Sequence, residues 1–240
     1  MYSVNWDKEC FDIPIIAYSR QPAFTSEEVT KTVANADGQF QIIFALFGAG
    51  FGVGEMCGLE IDKHISSDCA TIVISQSVYN GKIQMPKTPS TNRQIDLHPQ
   101  LARILKAFIG DRQSGFLFRS TSGTPLSKTN LLRRHLHPIL KRIGWSDPRT
   151  NDKKVGFHAF RRFRVTWLRK QRAPEDLLNF WIGHSSKTLT SDYSMIKNDV
   201  KFRKEEAERL GLGFELPIKH PDVVPNASIC TPNTALDEGA

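Results

Sequence analysis

The sequence predicts an α+β domain that is mainly α-helical and carries a small three-stranded antiparallel sheet. Apolar residues recur at helical spacing over much of the chain, in segments such as PQLARILKAFI and HAFRRFRVTWLRKQR. Residues 71–97 instead contain the short β-prone runs TIVISQSV, KIQMPK and RQIDL. The YNG between the first two runs is a hairpin signal. A chain of 240 residues, 40% of them hydrophobic, is long enough for one large domain with a substantial core.

The order of the segments predicts one folded domain between two poorly structured ends. Residues 1–21 show no clear periodicity, and we expect an extended lead-in there. Thr25 and Glu28 have the spacing of a capping box, so a helix should begin in FTSEEV. The folded domain is expected over residues 22–212. Residues 213–240 are rich in proline and small polar residues, which is typical of a flexible tail.

The helical segments have recognisable beginnings and ends. QFQIIFALFGAG predicts a helix that is buried on most sides, and VGEMCGLE predicts a short helix after a glycine break. SKTNLLRRHLHPILKRIGW is basic and amphipathic, with a kink expected at Pro138. PEDLLNFWIG ends in glycine, as many helices do.

The net charge of +7 and the isoelectric point near 9.3 favour a polyanionic partner, with nucleic acid ahead of an anionic membrane. Ordinary surface lysines would give the same excess. The longest apolar stretch is too short and too rich in glycine to span a bilayer, so we expect no membrane association. The four cysteines form no CxxC pair, and His135 and His137 lack a third ligand at suitable spacing. We therefore expect reduced thiols and no metal.

One helix is strongly basic. Residues 153–172 contain eight lysines or arginines and no acidic residue. Such a surface is stable beside phosphates, and we expect Lys153, Lys154, Arg162 and Arg164 to bind DNA. The alternative interpretation of these basic residues is a helix whose charged face contacts only solvent. A helix-turn-helix regulator would also carry basic amphipathic helices.

Five side chains form a set that suits chemistry at phosphorus. His158 and Arg161 share a helix face, and His184 follows a glycine at a helix end. Tyr193 lies nine positions later, and its oxygen can attack phosphorus when cations neutralise the phosphate. Arginine binds phosphate oxygens in a bidentate way, and histidines can donate to them or move the proton. Lys87, at the end of the second β-prone run, can serve as general acid for the leaving oxygen.

This ordered set resembles the catalytic domain of the tyrosine recombinases, the phage integrase family. That family's pattern is Arg, Lys, His-x-x-Arg, Gly-His and Tyr. By this resemblance Lys87 matches the hairpin lysine, His158 and Arg161 match the His-x-x-Arg pair, and His184 matches the second histidine. Tyr193 matches the nucleophile. The resemblance covers roughly residues 22–212 and implies the tyrosine-recombinase catalytic-domain fold.

The resemblance also implies an activity. In such enzymes the tyrosine attacks the scissile phosphate of double-stranded DNA, a 3′-phosphotyrosyl link forms, and a 5′-hydroxyl leaves. A 5′-hydroxyl of another strand then reverses the step, so no cofactor is needed. The implied partners are duplex DNA and further copies of the chain, which together form a tetrameric synapse. The implied location is the cytoplasm, and the implied origin is a bacterium or a phage. The DNA site and the biological role stay open.

The run GAGFGVGE departs from the family pattern. Gly52 stands where the first catalytic arginine is expected, while Glu55 matches the family's glutamate. Loss of one of two phosphate-binding arginines should cost a rate factor of about a hundred to a thousand. Either another cation compensates, with Arg93 and Lys63 as candidates, or the chain is a catalytically impaired DNA-binding relative. The glycines do not fit G-x-G-x-x-G, which excludes a dinucleotide loop.

Two further features concern how DNA would be held. Family members usually carry a separate N-terminal helical domain that closes around DNA, and only the lead-in precedes the predicted domain here. DNA binding by the chain alone should then be weaker and more sensitive to salt. The last helix, in DVKFRKEEAERLG, is expected either to dock on a neighbouring protomer, as in the family, or to pack within its own chain.

Overall fold

The computed structural model describes residues 22–85, 92–145, 155–184 and 195–218. Within these ranges the protein is mainly helical, as predicted. The helices are α1 (Ser26–Ala34), α2 (Gln39–Gly48), α3 (Val53–Cys57), α4 (Ile61–His64), α5 (Pro99–Ile109), α6 (Lys128–Asn130), α7 (His137–Arg142), α8 (His158–Lys170), α9 (Glu175–Ile182) and α10 (Val200–Leu210). No helix in the described ranges is long and apolar enough to cross a membrane.

Helix α1 begins with the predicted capping box. The Thr25 hydroxyl accepts a hydrogen bond from the Glu28 amide at 3.2 Å, and the Glu28 carboxylate accepts one from the Thr25 amide at 2.7 Å. Two of the amides at the helix start are thereby satisfied. Just before the cap, the ring of Phe24 packs edge-on against Phe160 of α8, with 4.7 Å between ring centroids. The start of helix α1 is thus packed against the centre of the domain.

Helix α2 is the central element of the core. Its residues from Ile42 to Gly48 are all buried, as the apolar run predicted. It packs against α1, α5 and α8. Phe44 lies parallel to Phe160 at 6.1 Å between centroids, and Phe47 contacts Phe157 at 4.8 Å. These rings hold α8 in place, and α8 carries two of the predicted catalytic residues, His158 and Arg161.

The predicted three-stranded sheet is wrong, because the described strands form two separate two-stranded ladders. Strand β1 (Thr71–Ile74) pairs antiparallel with β4 (Arg93–Asp96), and β2 (Ser77–Tyr79) pairs antiparallel with β3 (Lys82–Gln84). The predicted hairpin turn between β2 and β3 is confirmed. Its residues Asn80 and Gly81 have φ of 49° and 75°, as a two-residue turn of this type requires.

The run TIVISQSV divides into two strands because its central side chains bond elsewhere. The Ser75 hydroxyl lies 3.0 Å from Nε2 of His64 in α4. The Gln76 amide donates to the Gly58 carbonyl and to the Glu60 carboxylate, both at 2.7 Å. These contacts turn the chain out of the first ladder before β2 begins.

The expected disturbance at Pro138 is a π-helical segment on its N-terminal side. Residues Leu131–Leu136 form wide turns between α6 and α7, and Pro138 is in the first turn of α7. Proline has no amide hydrogen. In a regular α-helix the carbonyl of the residue four positions before it would therefore lack its usual hydrogen bond.

The chain stays packed beyond residue 212, where the predicted domain ends, as far as residue 218. Phe214 lies 6.1 Å from the ring of Phe163, and the Glu215 amide donates to the Thr30 hydroxyl at 3.0 Å. Gly213 has φ of 83° and lies so close to Trp167 that a Cβ atom would be 2.5 Å from the indole. The lead-in 1–21 and residues 219–240 lie outside the described residues.

Replacing Phe214 by alanine should therefore destabilise the domain. We expect a loss of about 2–3 kcal/mol in the free energy of unfolding, because an aromatic ring is removed from the core surface. Urea unfolding followed by circular dichroism measures this. Met85→Ala, at a side chain that is 82% exposed, is the control and should change stability by less than about 0.5 kcal/mol. Equal free energies of unfolding for the two variants would contradict the packing of Phe214 against the domain.

Candidate active site

The predicted site residues that the structure describes come from three helix ends. Arg161 and His158 lie in the first turns of α8, His184 follows the C-terminus of α9, and Gly52 precedes α3. Two further side chains, Glu55 and Arg93, connect Gly52 to the end of α9. Lys87, Tyr193, Lys153 and Lys154 lie outside the described residues, so their predicted roles stay predictions.

Helix α8 directs Arg161 away from the core. Ala159, Phe160 and Phe163 are buried, which leaves the Arg161 face toward α9. The Arg161 guanidinium donates to the carbonyl of Ile182, the last residue of α9. Burial lowers the pKa of Arg161, the Glu55 carboxylate opposes this and Arg93 adds to it. The lowered pKa reports a guanidinium that is partly removed from water and close to a second cation.

His158 begins α8 and is exposed. Neighbouring atoms partly desolvate its ring, which lowers its pKa, and the nearby cations Arg162, Arg161 and Lys128 lower it further. The neutral imidazole is therefore the main form near pH 7. In that form the ring can accept a proton at one nitrogen and donate a hydrogen bond from the other.

The turn at Gly183 and His184 requires glycine for two reasons. Gly183 ends α9 in the left-handed region, with φ of 73°, and its amide and that of His184 both donate to the Asn179 carbonyl. A Cβ atom at residue 183 would also lie 2.9 Å from Nη1 of Arg93. The exposed His184 is held directly beyond this contact. Its pKa is lowered by burial, then by Arg161 and Arg93.

Glu55 connects Gly52 to Arg93. Its Oε2 accepts from the Gly52 amide at 2.8 Å and from Nη2 of Arg93 at 3.0 Å, and its Oε1 accepts from Nη1 of Arg93 at 2.7 Å. Nε of Arg93 donates to the Trp181 carbonyl at 2.8 Å. The side chain of Arg93 is 2% exposed and that of Glu55 12%. The pair is thus a buried, bidentate ion pair next to the residue where an arginine was expected.

The same strand carries a second buried charge, which the sequence did not reveal as part of the site. Asp96 in β4 accepts from the Trp181 indole at 2.9 Å, from Nε of Arg203 at 2.8 Å and from the Thr71 hydroxyl at 2.9 Å. Arg203 lies in α10, so this helix packs within its own chain. Trp181 precedes the Gly-His turn, and Arg203 follows the predicted tyrosine. Asp96 therefore holds the chain on both sides of residues 185–194.

Of the two candidate substitutes for the missing arginine, Arg93 lies at the site. Lys63 instead pairs with Glu60 at 2.7 Å, and its side chain is 58% exposed. Its pKa is raised by this hydrogen bond to Glu60.

The predicted DNA contact at Arg164 is wrong. Its side chain is buried, and Nη1 donates to the carbonyls of Gly211 and Leu212 at 2.8 and 3.2 Å. Burial lowers its pKa to about 10. Arg164 therefore attaches the end of α10 to α8 and cannot reach DNA. Arg162, in contrast, is exposed, and its guanidinium donates to the Pro22 carbonyl at 3.2 Å.

The sequence pattern of the phage integrase family matches residues 24–199, well over half of the chain. The chain belongs to the phage integrase family. A comparison with curated proteins gave no match. The family match agrees with the mainly helical fold and with the grouping of the His-x-x-Arg pair and the Gly-His turn described above.

Solved structures show the same fold for this family member. The integrase of transposon Tn1549, in complex with transposon right end DNA, is 24% identical with a TM-score of 0.54, over 79% of this chain and 65% of that one. The same integrase with a circular intermediate DNA is 23% identical with a TM-score of 0.55, over 80% and 67%. XerA recombinase is 17% identical with a TM-score of 0.51, over 78% and 66%. The chain thus spans less than two thirds of the first of these integrase structures.

Within the described ranges of this integrase-family chain, no group of three or more His, Cys, Asp or Glu side chains is arranged to hold a metal ion. His135 stacks on Phe40 with 3.5 Å between ring centroids, and Nε2 of His137 lies 3.2 Å from the Val155 carbonyl. His135 therefore packs against an aromatic ring, and His137 contacts the backbone.

Replacing Asp96 by asparagine should destabilise this integrase-family domain by about 3–5 kcal/mol, because Arg203 would keep a buried charge without its carboxylate. Urea unfolding measures the loss. Asp68→Asn is the matched control, since Asp68 pairs with Lys204 of the same helix at 2.7 Å while both side chains are 39% exposed or more. The control should cost less than about 1 kcal/mol. Similar losses in the two variants would contradict the anchoring role of Asp96.

The histidines predict how stability depends on pH. The pKa is lowered, first by burial, for His64, His98, His135, His158 and His184. The unfolded chain therefore binds more protons than the folded one below about pH 6.5. The free energy of unfolding should fall as the pH drops from 7 toward the folded pKa values, and His184→Gln should weaken this dependence.

Imidazole NMR titration tests the local cause at His184. In Arg161→Met we expect a higher pKa for His184, because one nearby positive charge is removed while the burial remains. His98, whose nearby cations are Arg164 and Arg103, is the internal reference and should keep its pKa. An unchanged His184 pKa would mean that the Arg161 guanidinium is farther from the ring than the structure places it.

Proposed function

We propose that the chain is the catalytic domain of a site-specific DNA recombinase or integrase, which cleaves and rejoins DNA strands through Tyr193. The observation that carries the proposal is the convergence of Arg161 and His184 at the C-terminal end of α9, beside the Arg93–Glu55 pair. Cations that point at one exposed turn favour an anionic group there. The family membership supports a DNA phosphate as that group.

The proposed reaction is a transfer at phosphorus. The Tyr193 oxygen attacks the scissile phosphate, its proton passes to a nearby base, and the bond from phosphorus to the 5′-oxygen breaks. A 3′-phosphotyrosyl link results. Lys87 supplies the proton for the leaving 5′-oxygen. A 5′-hydroxyl of another strand then attacks the link and releases Tyr193, so the number of phosphodiester bonds is conserved.

The described side chains suit the remaining tasks. The Arg161 guanidinium neutralises charge that develops on the phosphate oxygens. His158 and His184 are mainly neutral near pH 7, because burial and nearby cations lower their pKa values. Each can therefore accept a proton or donate a hydrogen bond without adding a full charge. Each histidine is therefore suited to donate a hydrogen bond to a phosphate oxygen or to accept the tyrosine proton.

Duplex DNA is the proposed partner, bound by several copies of the chain in a tetrameric synapse. The net charge of +7 and the exposed Arg162 support phosphate contacts, and so do the Tn1549 integrase structures, which contain DNA. Binding should weaken steeply with salt, because each phosphate contact releases counterions. The proposed place of action is the cytoplasm of a bacterium, as the resemblance implies.

The second candidate function is DNA binding without strand transfer. Gly52 favours it, since the expected first arginine is missing from that position. Such a relative would keep the fold and the basic surface and would lack the covalent step. The two functions differ in one observable, the covalent link between protein and DNA.

Covalent trapping on a pool of nicked duplexes with random sequence tests the proposal. We expect a detergent-resistant adduct with the native chain and a loss of at least about a thousandfold in Tyr193→Phe, because the nucleophilic oxygen is removed. Tyr79→Phe, at a 59% exposed side chain in β2, is the control and should react like the native chain. Binding without an adduct would favour the impaired relative. An adduct seen only with Gly52→Arg would mean that the rest of the site is intact but inactive.

A further inference from the structure

The buried Arg93–Glu55 pair lies beside Gly52, the position at which the family pattern has an arginine. We infer that Arg93 is a positioning residue: it neutralises Glu55 beneath the phosphate site and so leaves Arg161 available to the phosphate. The inference rests on the proposed function. It assigns a role in the strand-transfer site to a residue that lies 41 positions from Gly52 in the chain.

The first argument is the shared carboxylate. One oxygen of Glu55 accepts from both the Gly52 amide, at 2.8 Å, and Nη2 of Arg93, at 3.0 Å. The Arg93 guanidinium is therefore next to residue 52, although it arrives from β4. A Cβ atom at Gly52 would lie 3.2 Å from the Glu55 carboxyl group, so a longer side chain there would enter the same space.

The second argument is the shared helix end. Arg93 donates from Nε to the Trp181 carbonyl, and Arg161 donates to the next carbonyl, that of Ile182. Both cations therefore lie at the C-terminus of α9, where the helix dipole favours positive charge. The close approach of Arg93 to Gly183 places its charge directly under the turn that carries His184.

The third argument is the charge that Arg93 cancels. Glu55 is 12% exposed and interacts electrostatically with Arg161. Without Arg93, a buried carboxylate would compete with the phosphate for the Arg161 guanidinium and would repel the phosphate itself. With Arg93 in place, the carboxylate holds a partner of its own. The Arg93 side chain is 2% exposed, which suits action from beneath the site.

A set of variants in the full chain separates this role from a purely structural one. Arg93→Met should reduce the rate of adduct formation about a hundredfold or more, comparable with removal of one oxyanion donor. Adding Glu55→Gln to Arg93→Met should restore at least about tenfold, because the unpaired carboxylate is then gone. Adding Gly52→Arg to Arg93→Met should also restore at least about tenfold, because the new guanidinium can pair with Glu55.

Arg112→Met is the matched control. Arg112 is a half-buried arginine whose guanidinium donates to the carbonyls of Phe108, Ile109 and Leu117, away from the site. The Arg112→Met substitution should lower the free energy of unfolding and leave the rate of adduct formation per folded molecule unchanged. The folded fraction of each variant is measured by circular dichroism under the assay conditions.

Two results would overturn the inference. One is an unchanged rate in folded Arg93→Met. The other is a loss in Arg93→Met that neither second substitution restores, which would indicate a structural role only. Absence of a Tyr193-dependent adduct in every variant would instead count against the proposed function.

A second readout does not depend on strand transfer. Inorganic phosphate is titrated into the protein and its affinity is read from the imidazole NMR signal of His184. Arg93→Met should bind phosphate at least about tenfold more weakly than the native chain, and Gly52→Arg with Arg93→Met should recover the affinity. Equal affinities in the three proteins would overturn the inference even if no adduct forms.

Discussion

The buried carboxylate of Asp96 is the interaction on which the site depends. It accepts hydrogen bonds from β1, α9 and α10 through Thr71, Trp181 and Arg203. A charge with no exposed surface persists only when partners compensate for the lost water, and here each partner belongs to a different element. The position of the last helix, the orientation of α9 and the register of the β1–β4 ladder are therefore fixed together.

Strand β4 is short, yet it carries two buried charges of opposite sign. Arg93 binds Glu55 and the end of α9, and Asp96 binds the indole of Trp181 and α10. The strand thus connects the helix that carries Glu55 with both ends of the segment that contains Tyr193. This one strand thereby sets the relative positions of groups from three helices, α3, α9 and α10.

Features that depend on neighbouring residues were predictable from the sequence. The capping box of Thr25 and Glu28, the Asn80–Gly81 turn and the glycine end of α9 all follow from local backbone chemistry. The family pattern likewise located the His-x-x-Arg pair and the Gly-His turn.

Features that depend on distant partners were not predictable. The split of the predicted sheet requires the contacts of Gln76 with Gly58 and Glu60, and the burial of Arg164 requires the carbonyls at the end of α10. The packed segment through Phe214 depends on Phe163, and the Arg93–Glu55 pair joins residues 38 positions apart. A basic or small polar residue looks exposed in a sequence until its partner is known.

The glycine at residue 183 limits which substitutions the turn accepts. Because φ at residue 183 is positive and the Arg93 guanidinium fills the space where a side chain would begin, the backbone and the cation both disfavour any other residue there. A change at residue 93 alone would therefore leave residue 183 restricted to glycine by its backbone conformation.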